Sequence, residues 1–126
     1  MARPASPHPT ASEYAILQVL WDRGPMTVRD VHEGVSSESG VSYTTTLKTM
    51  QIMYRKGLVK RDTSQRSHVY SAAVSQQSTQ GQLLRKVLSM AFGGSIARLV
   101  QGAIQSKAAS KADLMEIQKL IEEQEP

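Results

Sequence analysis

The sequence predicts a mainly α fold with a small β wing. Three observations carry this: capping residues that precede apolar stripes at spacings of three and four, two short β-prone runs around one polar loop, and positive charge gathered on that hairpin and the helix before it. The chain of 126 residues suffices for one compact domain with an attached association segment. Its hydrophobic fraction of 40% with only 5% aromatics gives an aliphatic core and argues against disorder.

Thr10-Ala-Ser-Glu13 has the form of a capping box, so a first helix is expected from about Ser12 to Asp22. Ile16, Leu17, Leu20 and Trp21 form its apolar stripe, and Gly24-Pro25 stops it. Thr27 caps a second short helix with Asp30 at the matching third position and Val28, Val31 and Val35 turned inward; the Ser36-to-Gly40 cluster reads as a turn. Ser42 is the next N-cap, opening a third helix from Tyr43 to Lys56 that ends at Gly57. Thr46, Met50, Met53 and Tyr54 are expected on its inner face. The opposite side presents Thr44, Thr45, Lys48, Gln51 and Arg55, all hydrogen-bond donors, with Leu47 at the margin. Leu58-Val-Lys-Arg61 and Ser67-His-Val-Tyr-Ser71 then read as two strands around the loop 62–66. Three helices and a basic hairpin make a winged helix-turn-helix domain.

The remainder is helical. Gln82 to Ala91 carries Leu83, Leu84, Val87 and Leu88, and Gly93-Gly94 breaks it. Ser95 caps a helix with Ile96, Leu99, Val100, Ala103 and Ile104; Ser110-Lys-Ala-Asp113 opens a last one with Leu114, Ile117, Leu120 and Ile121 on one side. Short amphipathic helices attached to a small domain need a partner surface, so Leu84, Val87, Leu88, Leu99, Val100, Leu114, Ile117 and Ile121 are expected to form a homodimer interface. The expected organisation is a loose, proline-rich tail over 1–11, a winged-helix domain over 12–74 and a helical dimerisation region over 75–126.

The formal charge is +4, and its distribution says more than its total. Between Lys48 and His68 six Lys and Arg residues stand against Asp62 alone, whereas from Lys111 to Pro126 the balance is −3. The basic stretch is the one suited to a polyanion. A helix entering a major groove roughly 12 Å wide needs short polar side chains near its N-terminus and flanking cations for phosphates. Ser42, Tyr43, Thr44, Thr45, Leu47 and Lys48 suit the first task, and Arg55, Lys60 and Arg66 the second, with Lys56 and Arg61 also expected toward the DNA backbone or wing. The same residues also fit an ordinary helix start and a solvated face; their coincidence with a wing favours double-stranded DNA. The other reading is a winged helix used to bind an acidic protein partner.

Among His8, His32, His68 and the carboxylates no nucleophile–base or metal-ligand spacing occurs, and there is no cysteine, so no catalytic residue, metal or cofactor is expected. No run of 18 apolar residues occurs and the first nine residues lack the apolar centre of a secretory signal, which leads us to expect a cytoplasmic protein without membrane insertion.

The runs Val41-Ser-Tyr-Thr-Thr-Thr-Leu-Lys-Thr-Met50, Tyr54-Arg-Lys-Gly-Leu-Val-Lys-Arg61, Ile16-Leu-Gln-Val-Leu-Trp21 and Gly24-Pro-Met-Thr-Val-Arg-Asp-Val31 resemble the penicillinase-repressor family, which includes methicillin-resistance and copper-responsive repressors. The resemblance covers roughly 12–121 and is closest over 16–72. It implies a third helix in the major groove, a C-terminal three-helix homodimerisation region, and repression from a palindromic operator. Three departures stand out. The cysteine-rich signature of copper-responsive members is absent; the Asn-Phe pair at which a membrane sensor protease inactivates antibiotic-responsive members is replaced by Gly102 and Ala103; and Ile52 stands where relatives often place Arg.

Overall fold

The computed structural model describes residues 8–124, apart from the side chains of 36–39. The elements are α1 (Ala11–Arg23), β1 (Met26–Thr27), α2 (Val28–Ser39), α3 (Tyr43–Lys56), β2 (Val59–Asp62), β3 (Val69–Ala72), α4 (Gln76–Ala91), α5 (Ile96–Gln105) and α6 (Lys111–Glu123). They fall into two compact units that meet in the chain between Gln82 and Leu83.

In the first unit, Thr10 caps α1 with a full capping box. Its hydroxyl accepts from the Glu13 N–H at 3.2 Å and its own N–H donates to Glu13 Oε1 at 2.9 Å. The stripe Ile16, Leu17 and Leu20 is buried against Val28, Val31 and Val35 of α2 and Met50 and Met53 of α3, with Leu58, Val59 and Tyr70 closing the core from the sheet side. These residues are aliphatic or thioether apart from Tyr70, so burial of their apolar surface drives the packing. Trp21, expected in the core, is half-buried beside it and donates its indole N–H to the Val74 carbonyl at 3.0 Å.

The sheet is antiparallel, in the order β1-β3-β2, with Arg61 opposite Tyr70 and Met26 also paired to Tyr70. The two-residue β1 was not foreseen. Two helix boundaries also differ from expectation. The cluster expected as a turn stays helical to Ser39, and the break comes at Gly40, whose φ of 68° few other residues adopt. Helix α4 starts at Gln76 and not near Gln82, because Ser75 caps it: the Ser78 N–H donates to Ser75 Oγ, and the buried Thr79 hydroxyl donates to the Ser75 carbonyl at 2.7 Å.

In the second unit, Ser95 caps α5 and Ser110 caps α6, the latter with a capping box in which the Ser110 N–H donates to Asp113 Oδ2 at 2.9 Å. That hydrogen bond lowers the Asp113 carboxyl pKa below its ordinary value. Among the described residues no single helix is long and apolar enough to cross a membrane.

Candidate nucleic-acid interface

Helix α3 is fixed at both ends by local chemistry. Ser42 accepts the Thr45 N–H at 3.2 Å, and the two hydroxyls lie 3.0 Å apart. At the other end Gly57 takes a left-handed conformation, φ 84° and ψ 14°, and its N–H donates to the Tyr54 carbonyl. Between these caps Thr46, Met50 and Met53 are buried. Tyr43, Thr44, Thr45, Lys48, Gln51 and Arg55 are exposed. Leu47 is half-buried and packs against the core, which matches its marginal position on the helical wheel.

The first turn of α3 is braced by α2. His32 Nδ1 lies 3.0 Å from the hydroxyl of buried Thr46, and the His32 ring meets the Tyr43 ring edge-on at 5.7 Å between centroids. This gives His32 a packing role. Among the described residues no group of three or more His, Asp or Glu side chains gathers to hold a metal ion.

The wing runs from β2 through the exposed loop to β3. Asp62 shapes the loop by accepting the Ser64 N–H at 2.9 Å, a bond that lowers its carboxyl pKa. Lys60 and Arg66 are exposed. Arg61 behaves differently: its guanidinium lies over the Tyr54 ring at 4.1 Å from the centroid, and its Nε is buried without a hydrogen-bond partner among the described residues. Tyr54 is therefore 41% exposed under this cation and not on the inner face.

Lys56 is a second correction. It was expected to lie toward the DNA backbone or wing, but its Nζ donates to both Glu13 oxygens, at 2.8 and 3.0 Å, and Glu13 is only 3% exposed. The pair ties the last turn of α3 to the first turn of α1. Between α2, α3 and the wing lies a cleft of about 450 Å³ lined in part by Arg29, Tyr43, Gln51, Arg61, Arg66 and His68. Arg29 and His68 were not among the residues expected to bind DNA.

In the second unit Leu88 is buried within the chain itself, whereas Leu84 is 43% and Ile121 59% exposed. Val87, Leu99, Val100, Leu114 and Ile117 are half-buried. Further apolar side chains, Met115 and Leu120 of α6 and Ile104 of α5, are exposed. Gly102 and Ala103 are half-buried within α5, where a Cβ on Gly102 would lie 3.3 Å from Phe92 Cε1.

Three helices packed on an antiparallel wing, with the polar side of α3 turned outward, define a winged helix-turn-helix domain. The chain belongs to the penicillinase repressor family, whose model matches residues 9–123. Transcriptional regulator BlaI from two strains of Mycobacterium tuberculosis is 38% identical over 60 residues, covering 47% of this chain and 44% of the relative in each case. The chain thus spans less than half the length of these relatives. A solved structure of a MarR family protein from Bacillus stearothermophilus aligns with a TM-score of 0.47 at 18% identity, covering 90% of this chain and 71% of that one.

Proposed function

We propose that this chain is a DNA-binding transcriptional repressor that acts as a homodimer on a palindromic operator. The observation that carries this reading is the division of α3 into a buried side, Thr46, Met50 and Met53, and an exposed side bearing Thr44, Thr45, Lys48 and Gln51 beside a basic wing. Membership of the penicillinase repressor family supports it. In this reading α3 enters the major groove from its capped N-terminus, Thr45 and Lys48 read base edges, and Ser42, Arg55, Lys60 and Arg66 hold phosphates. The helix N-terminus adds its own partial positive charge toward a phosphate. Residues 12–74 form the DNA-binding part and 75–126 the dimerisation part. The exposed apolar residues of α4 and α6 supply the contact between copies, since side chains such as Leu84 and Ile121 lose unfavourable hydration on association.

Binding titrations test the assignment. Thr45→Ala and Lys48→Ala should each cost about 1–3 kcal/mol on the operator and leave scrambled duplex nearly unaffected, whereas Arg66→Ala should weaken both and lower the salt slope by about one unit. Operator preference left intact by both Thr45→Ala and Lys48→Ala would remove α3 as the reading element. An acidic protein partner would be indicated instead if duplex binding were absent even at low salt.

A further inference from the structure

The cleft between α3 and the wing has a chemistry that base reading and the exposed phosphate contacts, which take only Arg66 of its cations, leave largely unused. Its lining includes three arginines and a histidine from three places in the fold: Arg29 on α2, Arg61 on β2, and Arg66 and His68 at the wing tip. Among the described residues no carboxylate lines it. Like charges brought together without a counter-charge are unfavourable, so the arrangement favours an anion between them. Arg61 is the fixed point. The Tyr54 ring covers its guanidinium face at 4.1 Å, and its strand position opposite Tyr70 is set by sheet register. Among the described residues its buried Nε has no acceptor, an unsatisfied donor of the kind a bound ligand relieves. A carboxylate matches one guanidinium fork, whereas a phosphate offers more oxygens and suits several donors converging from different elements. The volume of about 450 Å³ exceeds what one phosphate fills and falls in the range of small-molecule sites.

We infer that this cleft is a phosphate-binding site anchored by Arg61, with Arg29 and His68 as flanking donors, that accepts a phosphate either from the DNA backbone or from a free phosphorylated ligand. Because the cleft opens beside Tyr43 and Gln51 of α3, the DNA source rests on the repressor reading above, while the free-ligand source does not.

The test uses the full chain, with arginine Nε–H and His68 resonances followed by NMR during separate titrations with sodium pyrophosphate and with a short duplex of random sequence. Pyrophosphate is expected to shift Arg61 and His68, and Arg61→Gln should weaken its binding roughly tenfold. Arg29 is exposed on α2, so Arg29→Gln keeps the test valid if Arg61→Gln perturbs folding; it should weaken pyrophosphate severalfold. If the duplex shifts the same Arg61 resonance and pyrophosphate displaces it, the backbone supplies the phosphate. If pyrophosphate binds and the duplex leaves Arg61 unmoved, a free phosphorylated ligand is the source. Arg61 and His68 unmoved by both probes would overturn the site. Duplex binding that still depended on Thr45 and Lys48 would then leave the repressor reading standing. A pyrophosphate-filled cleft with no duplex binding at all would count against that reading and not against the site.

Discussion

Replacing Lys56 by Met separates a structural cation from a DNA contact. The Lys56 Nζ sits 2.8 Å from Glu13 Oε1 and 3.0 Å from Oε2, and the Glu13 side chain is 4% exposed against 26% for Lys56. Methionine keeps most of the aliphatic stem and removes the charge, so the main change is a buried carboxylate left with the Thr10 N–H. Breaking a fully buried pair from one side costs about 3–5 kcal/mol; water reaches the Lys56 side of this one, which reduces the expected loss to about 2–3 kcal/mol. Urea denaturation should show that loss as a lower midpoint at unchanged slope. Adding Glu13→Gln should recover part of it, giving a coupling of at least about 1 kcal/mol in the double-mutant cycle. The salt dependence of duplex binding by the folded Lys56→Met protein should stay as in the parent. A stability loss below about 0.5 kcal/mol, together with a salt slope lowered by about one unit, would refute the reasoning and make Lys56 a phosphate contact.

Other outcomes follow from the same structure. Ile121→Asp should convert a dimer to a monomer in sedimentation while preserving helicity, because Ile121 is 59% exposed in the single chain; Leu88→Asp cannot separate folding from association, since Leu88 is buried within it. A chain that already sediments as a monomer at micromolar concentration would end the dimer proposal. The Asp113 carboxyl, lowered by the Ser110 N–H, favours the folded α6 above the ordinary aspartate range and loses that contribution as pH falls through its own lower midpoint. An NMR titration should find that midpoint below the value for aspartate in an unfolded peptide, and one at or above it would contradict the capping box. Tyr14 donates to the Thr79 carbonyl at 2.8 Å and burial raises its pKa, so Tyr14→Phe should cost about 0.5–1.5 kcal/mol by denaturation, with no loss being the contrary result.

What could be read in advance was whatever local sequence controls. The caps at Thr10, Ser42, Ser95 and Ser110 each place a hydroxyl before a helix, and the stripes Ile16/Leu17/Leu20 and Val28/Val31/Val35 are buried as their spacing requires. The boundaries that moved have local reasons too. Ser and Glu residues before Gly40 permit a helix as well as a turn, and the polar start of α4 has no apolar stripe to announce it. What could not be read depends on contacts distant in sequence. Glu13 meets Lys56 43 residues away, and Arg61 leaves the open surface only because β2 brings it over Tyr54. Nor does spacing along the chain reveal that Arg29 and His68 share a cleft.

The single tryptophan of the chain occupies a useful place. Trp21 stands on α1, and its indole N–H reaches the Val74 carbonyl, 53 residues on, just before α4 begins. The molecule thus carries its own fluorophore at the join between the winged-helix core and the segment leading into α4. Losing that hydrogen bond to water would move the emission toward the red and change its quenching by iodide. Unfolding of the winged-helix core can be followed at this one ring without a label, and an emission that stays constant as denaturant rises would mean that this join had held.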